Sequence, residues 1–218
     1  MGFLRADLRI QLLSAIAACA DVTAFLQFHD VFTSAMTGNL ALLGLALGRG
    51  HLALASHSLL ALLGFIAGTM LASLLGERHF WRQERILFLE LAGLLAFAAA
   101  WWRWGFPADG LRLDLLILLA ASAMGVQSVL ARRVNVAGVP SVVFTNTLTS
   151  ICIGLSQALR KREKPNWVTM QQVAALLAYA FGAILVTVLL GWQPAIAVNL
   201  PWMLLLLVWA LGYRDASR

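Results

Sequence analysis

Apolar residues fill this chain in long blocks, and polar residues gather where the blocks end. Eight blocks can be drawn. The first four, A to D, are Leu8–Phe28, Thr37–Gly48, Leu52–Leu75 and Ile86–Trp102; the second four, A′ to D′, are Leu113–Leu130, Thr145–Leu159, Val168–Leu190 and Ala195–Tyr213. Six of them are about 17 to 24 residues long, enough helix to cross ~30 Å of hydrocarbon. B and B′ are shorter. A helix of B's length rises only ~18 Å at ~1.5 Å per residue, about half a bilayer.

The blocks repeat. Thr33–Leu47 reads TSAMTGNLALLGLAL and Ser141–Leu155 reads SVVFTNTLTSICIGL, with Thr37 lying 108 residues before Thr145 in a chain of 218. Each copy opens on small polar residues and runs into an apolar helix. The pattern predicts one integral membrane domain over residues 1–218, duplicated from a half-length unit, with repeat 1 at about 8–104 and repeat 2 at about 110–214.

The basic residues decide whether B and B′ cross. If all eight blocks cross, 11 Lys and Arg lie inside and 5 outside; if B and B′ dip in and return, the division is 13 inside against 3, with only Arg49, Arg103 and Arg112 outside. Cytoplasmic loops carry the excess of Lys and Arg, so the second arrangement is preferred. Each repeat then crosses three times, and the second repeat is upside down relative to the first. The predicted fold is an all-α membrane protein with six spanning helices and two re-entrant half-helices, in two inverted repeats. Its expected location is the bacterial inner membrane, with both termini cytoplasmic.

Composition agrees. Hydrophobic residues make up 61% of the chain and charged residues 12%, about half the charge of an ordinary soluble domain. The formal net charge of +6 sits at block ends, where it meets anionic headgroups, so the expected partner is the lipid bilayer and no nucleic acid. Cys19 and Cys152 both lie in apolar blocks and read as small packing residues, with no disulfide framework, metal cluster or cofactor implied. Ala18-Cys19-Ala20 has the form of a signal-peptidase site, but the apolar run continues to Phe28 and the repeat needs this helix, so an uncleaved first span is expected. No nucleotide, metalloprotease or serine-hydrolase motif is present, and the expectation is a protein that is not an enzyme.

The candidate chemistry lies at the short helices. B opens Thr37-Gly38-Asn39 and B′ opens Thr145-Asn146-Thr147. A helix start presents unpaired N–H groups and a partial positive charge, so two such starts near the midplane would form a site for a small polar or anionic solute. Plain capping of the two starts is the structural alternative. Asp21 is deep in block A, where a carboxylate is costly unless something accepts it; its expected donors are the N–H groups at the start of B and the Thr37 hydroxyl. Gln127 is its expected counterpart in block A′. Glu90 is expected to reach the surface near Arg85, His57 to hydrogen-bond a neighbouring helix, and His29 and Asp30 to line an outer mouth. Trp101, Trp102, Trp104 and Trp167 read as interfacial belt residues, and Gly64-Phe-Ile-Ala-Gly68 as a seam for close helix packing.

Asp21, Met36-Thr37-Gly38-Asn39, Gly125-Val126-Gln127 and Phe144-Thr145-Asn146-Thr147-Leu148 together make the chain similar to the YoaK family of bacterial membrane proteins, which has no established function. The resemblance covers nearly the whole chain. It departs at Ser128, where the family commonly has Asn, and at Asn146, where Gly is usual. The expected function is transport or channel-type permeation of a small polar or anionic solute, with Asp21, Thr37, Gly38, Asn39, Gln127, Thr145, Asn146 and Thr147 forming the site. The other reading is a non-transporting scaffold or assembly protein whose midplane polar groups satisfy one another. A dry, fully bonded centre would favour the second, and a cavity reaching Thr37 and Thr145 the first. A bundle this small is also compatible with a homo-oligomer.

Overall fold

A computed structural model describes residues 2–76, 82–105, 108–134 and 144–216. The described residues form eight helices: α1 (Gly2–Gln27), α2 (Met36–Gly48), α3 (Leu52–Gly76), α4 (Arg82–Trp104), α5 (Leu111–Val134), α6 (Phe144–Lys161), α7 (Trp167–Trp192) and α8 (Pro194–Ala216). They match blocks A to D′ in order. Six of them (α1, α3, α4, α5, α7 and α8) are long and apolar enough to cross a membrane. Leucine and alanine supply helix propensity along all six, and their outward faces keep large apolar side chains exposed, such as Leu63, Ile66 and Met70 on α3 and Leu177, Phe181 and Ile184 on α7. That is the reverse of a soluble bundle and suits a lipid surround.

α1 and α5 are the central helices and cross each other. Leu13 and Ile16 share a cluster with Met124 and Leu130, while Ala24 and Phe28 share one with Leu113, Leu116 and Ile117. Low numbers on α1 thus meet high numbers on α5, so the pair is antiparallel. α3 runs parallel to α5: Gly64 lies against Leu118 and Ala121, and Gly68 against Ser122. α1 runs parallel to α7, with Gln11 meeting Gln171, and Ala15 and Cys19 meeting Gly182. Gly93 meets Ala123, and Ile86 clusters with Leu130, so α4 is antiparallel to α5.

The packing has an exchange rule. Replacing α1, α2, α3 and α4 by α5, α6, α7 and α8 turns every packed helix pair into another packed pair: α3 with α5 becomes α7 with α1, α4 with α5 becomes α8 with α1, α2 with α3 becomes α6 with α7, and α3 with α4 becomes α7 with α8.

The glycine seam expected at Gly64 and Gly68 is present. A methyl on Gly68 would strike the Ser122 carbonyl, and one on Gly125 would strike that of Phe65, so the α3 and α5 backbones approach without side chains between them. Three expectations are corrected. Trp101 is not interfacial: it is buried against Phe28 and Phe97, while Trp102 and Trp167 are exposed as belt residues would be. Cys152 is exposed on α6 and packs nothing, whereas Cys19 is buried. Glu90 does not reach the surface near Arg85; its side chain is fully buried.

Candidate functional site

The polar centre is built on Asp21. This carboxylate is 1% exposed and accepts five hydrogen bonds. Oδ1 accepts from the Thr33 N–H at 2.8 Å, the Thr33 hydroxyl at 3.1 Å and the Ser34 N–H at 2.6 Å. Oδ2 accepts from the Ser34 hydroxyl at 2.6 Å and the Tyr179 hydroxyl of α7 at 3.0 Å. A charge in hydrocarbon is costly, and five donors are the means by which this one is accommodated. Asp21 faces the interior, as expected, but its donors come from the turn before α2. Neither Thr37 nor the first-turn N–H groups of α2 reach it.

That turn is shaped locally. α1 ends at Gln27, and His29 and Asp30 follow with φ of 56° and 64°. Two left-handed residues in sequence reverse the chain. Val31 and Phe32 then run back along α1 until Thr33 and Ser34 bend over Asp21. Because Asp21 lies six residues before the end of α1, the chain has returned by ~9 Å at ~1.5 Å per residue.

Asn39 closes the other side. It is fully buried, its Oδ1 accepts from the Phe32 N–H at 2.9 Å, and its Nδ2 donates to the Phe32 carbonyl at 2.6 Å. Its amide thus replaces a missing strand partner for Phe32. Gly38 sits 3.0 Å, at its would-be Cβ, from the Phe32 ring, which in turn stacks on Phe25 at 5.0 Å. The Thr37-Gly38-Asn39 motif therefore holds the descending turn: the glycine clears space for a ring, not for a ligand, and Thr37 is exposed on the far side. Asn39→Ala leaves both polar groups of Phe32 unpaired, and about 2 kcal/mol of stability should be lost; a thermal melt of the purified protein measures it.

The second short helix is placed differently. α2 packs on α3 and α6 on α7, and α2 and α6 make no contact with each other among the described residues. The two starts are not brought together. Thr145 and Asn146 are exposed, and Thr147 is buried. α6 buries Thr147 and Ile151 in the α7 direction, with Gly154 against Thr169. Its other side carries a polar face of Thr145, Asn146, Thr149, Ser150 and Gln157, all exposed. The positions on α2 that correspond to Thr145, Asn146, Thr149 and Ser150 are Thr37, Gly38, Ala41 and Leu42, so only the first is polar. The Thr149, Ser150 and Ser156 hydroxyls donate to carbonyls one turn back, at 3.1, 2.9 and 2.7 Å.

Gln127 does not repeat the part of Asp21. Its Nε2 donates to the Leu13 carbonyl of α1 at 2.8 Å, and its Oε1 is buried without a partner. Adjacent Ser128 donates to the Gly125 carbonyl of its own helix at 2.7 Å. Sequence reasoning missed Tyr179, which lies in the middle of an apolar run with nothing beside it to mark a partner 158 residues away. It also missed that His57 stacks on His29 at 5.6 Å and lies 3.7 Å from Asp114.

An enclosed cavity of about 20 Å³ lies between α1, α4, α5 and α8, lined by Ala20, Thr23, Leu94, Phe97, Ala120 and Pro201 among others. Its lining is apolar and it touches neither Thr37 nor Thr145. A cavity of that size admits one water by volume but gives it too few polar partners.

Lipid-facing helices around a sealed polar centre make this a multi-pass α-helical membrane protein. The chain belongs to the family described as "Protein of unknown function (DUF1275)", which matches residues 10–211. It is 35% identical, over 185 residues covering 81% of this chain and 80% of the relative, to the UPF0700 transmembrane protein YoaK of Bacillus subtilis (strain 168). No solved structure matches.

Proposed function

We propose that the protein is a carrier for a small polar solute, built from two inverted repeats with α2 and α6 as re-entrant half-helices. Helix direction carries the reading. α1 is antiparallel to α5 and α3 is parallel to it, so α1 and α3 run opposite ways. A connection that crossed the membrane would leave them parallel. α2 therefore leaves and returns on one side, and the same reasoning applies to α6 between α5 and α7. With α1 antiparallel to α5, the repeats are upside down to each other, the design from which alternating access is built.

The difference between the halves supports a carrier over a channel. On the α2 side, Asp21 and Asn39 bond the buried turn on both sides. On the α6 side, a polar face remains exposed, which suits the lining of an aqueous path from the cytoplasm. An inverted-repeat carrier has this asymmetry in any one state and reverses it in the other. The Asp21 carboxylate beside the start of α2 already complements that helix dipole, so the polar solute is retained and the anionic one is not. Residues on the path would be Thr145, Asn146, Thr149 and Ser150; Asp21, Asn39 and Gly38 position α2.

A flux screen in liposomes over sugars, amino acids, nucleobases and weak acids tests the reading. Uptake above empty vesicles, reduced by Ser150→Leu, is expected. The bonded centre around Asp21 also favours a non-transporting scaffold, and saturation of the screen at the level of empty vesicles, together with a stable protein complex in mild detergent, would make that the better account.

Topology gives a separate check. In a background with Cys152→Ser, cysteines at Gly50 and Asp109 should react with an impermeant maleimide in intact cells. Cysteines at Glu84 and Glu163 should react only after permeabilisation. Reaction of the Glu84 position from outside would remove the inverted arrangement.

A further inference from the structure

We infer that Glu90 is a proton-binding carboxyl. Its side chain on α4 is 0% exposed, and neither carboxylate oxygen has a hydrogen-bond partner. Asp21 is the contrast within the same molecule: equally buried, it is met by five donors. A fully buried carboxylate on a helix whose apolar neighbours Ile86 and Leu94 belong to the hydrophobic core has no hydrogen bond to offset its charge. The proton is the smallest group that neutralises it without a cavity. In the packed state Glu90 is thus the neutral acid, and it releases its proton only when α4 parts from α5 and α8 far enough to admit water.

The groups that face this layer leave the carboxyl to itself. On α5, Gly93 meets Ala123 and Ile86 meets Leu130, so Glu90 comes level with Val126 and Gln127; Gln127 is neutral, with its own Oε1 unpartnered. Arg132 and Arg133 lie more than a turn further along α5, and Arg133 has an interaction of its own. α1 is not packed against α4 among the described residues; its described titratable groups are Arg9, which has an interaction of its own, Cys19 and Asp21. The described side chains of α8 include no titratable group, and on α3 only His57, paired with Asp114 near the start of α5. On α4 itself, Glu84, Arg85 and Arg103 are a turn and a half or more away.

Loading follows a balanced step: the carboxylate takes H⁺ from water on the open side and gives it to water on the other, with no electron transferred. As the coupling site of a carrier, Glu90 rests on the function proposed above; as a carboxyl that holds a proton when buried, it does not.

Infrared difference spectra of the purified protein in nanodiscs read the proton directly. At neutral pH the wild type should show the C=O stretch of a protonated, non-hydrogen-bonded acid, which Glu90→Gln removes and Asp21→Asn leaves. Glu90→Gln should fold with an unchanged or higher melting temperature, because a neutral isostere replaces a neutral acid. In liposomes carrying a transported solute, wild-type flux should respond to an imposed proton gradient and Glu90→Gln flux should not. A band that survives Glu90→Gln overturns the assignment, as does a gradient response surviving in that variant or a response to sodium in place of protons. If the wild type transports nothing, the function proposed above fails while the infrared result still decides for or against Glu90.

Discussion

Asp21→Ala should be among the most destabilising single substitutions in this protein. It deletes the acceptor for two backbone N–H groups and three hydroxyls at once. Hydroxyls can turn to other acceptors, but the Thr33 and Ser34 N–H groups are fixed by the turn and would be left buried and unpaired at about 1–3 kcal/mol each. The expected loss is about 3–5 kcal/mol, which for a chain of this size lowers the melting temperature by roughly 6–20 °C. Asp21→Asn should be much milder. Its remaining oxygen still accepts from both N–H groups, and its amide donates to the Ser34 and Tyr179 hydroxyls, which accept as readily as they donate. Tyr179→Phe removes one bond to a charged group and should cost about 1.5–3 kcal/mol. Thermal melts in one detergent rank the three variants. If Asn proves as damaging as Ala, the negative charge itself matters, and the clasp is more than an acceptor for fixed donors.

The sequence carried the helices and their order, with each end placed to within six residues. A spanning helix must be apolar all round, and that leaves a signal too long to mistake. The packed pairs make α1 run opposite to α3; the side of the membrane that the partition of Lys and Arg assigns to each loop is decided by the labelling experiment. What the sequence carried poorly was which polar groups meet. Asp21 was visible as an anomaly because carboxylates are rare at that depth. Its donors were not, because backbone N–H groups exist at every position and only the turn at His29 and Asp30 decides which of them face it. Thr37 was over-read as a donor to Asp21 for a related reason. A polar residue at a helix start looks alike whether it faces a site, a neighbouring helix or lipid, and here Thr37 is exposed. Glu90 was under-read because its distance from Arg85 allowed a surface route, which only the packing of α4 on α5 closes.

The two halves of the chain differ more in their polar pairing than in their helix packing. The helix pairs still exchange, yet Asp21 holds a turn on one side while Gln127 holds a helix carbonyl on the other. Thr149 and Ser150 on α6 stand where α2 has Ala41 and Leu42. Fold symmetry is preserved because large apolar seams tolerate few alternatives; the polar groups diverge because each needs only a local partner.

Those seams set the last prediction. A methyl on Gly68 would strike the Ser122 carbonyl, and one on Gly125 the Phe65 carbonyl; on Gly182 it would lie 2.7 Å from the Ala15 carbonyl, and on Gly64 2.9 Å from that of Leu118. Gly44 on α2 has open space. Backbone carbonyls cannot swing aside, so Gly68→Ala and Gly125→Ala should each cost about 3 kcal/mol, the upper part of the range for overpacking. Gly64→Ala and Gly182→Ala should cost about 1–2 kcal/mol. Gly44→Ala should be neutral or stabilise by up to about 1 kcal/mol, since alanine is the better helix former. The double variants test the geometry more sharply. Gly68 and Gly125 lie on one interface, and once α3 and α5 have separated for the first methyl the second finds room, so their combined cost should fall well short of the sum. Gly68 and Gly182 lie on different interfaces, α3 with α5 and α7 with α1, and their costs should add to within about 0.5 kcal/mol. Full additivity for Gly68 with Gly125 would mean that the two glycines do not share one close approach, and the α3–α5 seam described here would have to be abandoned.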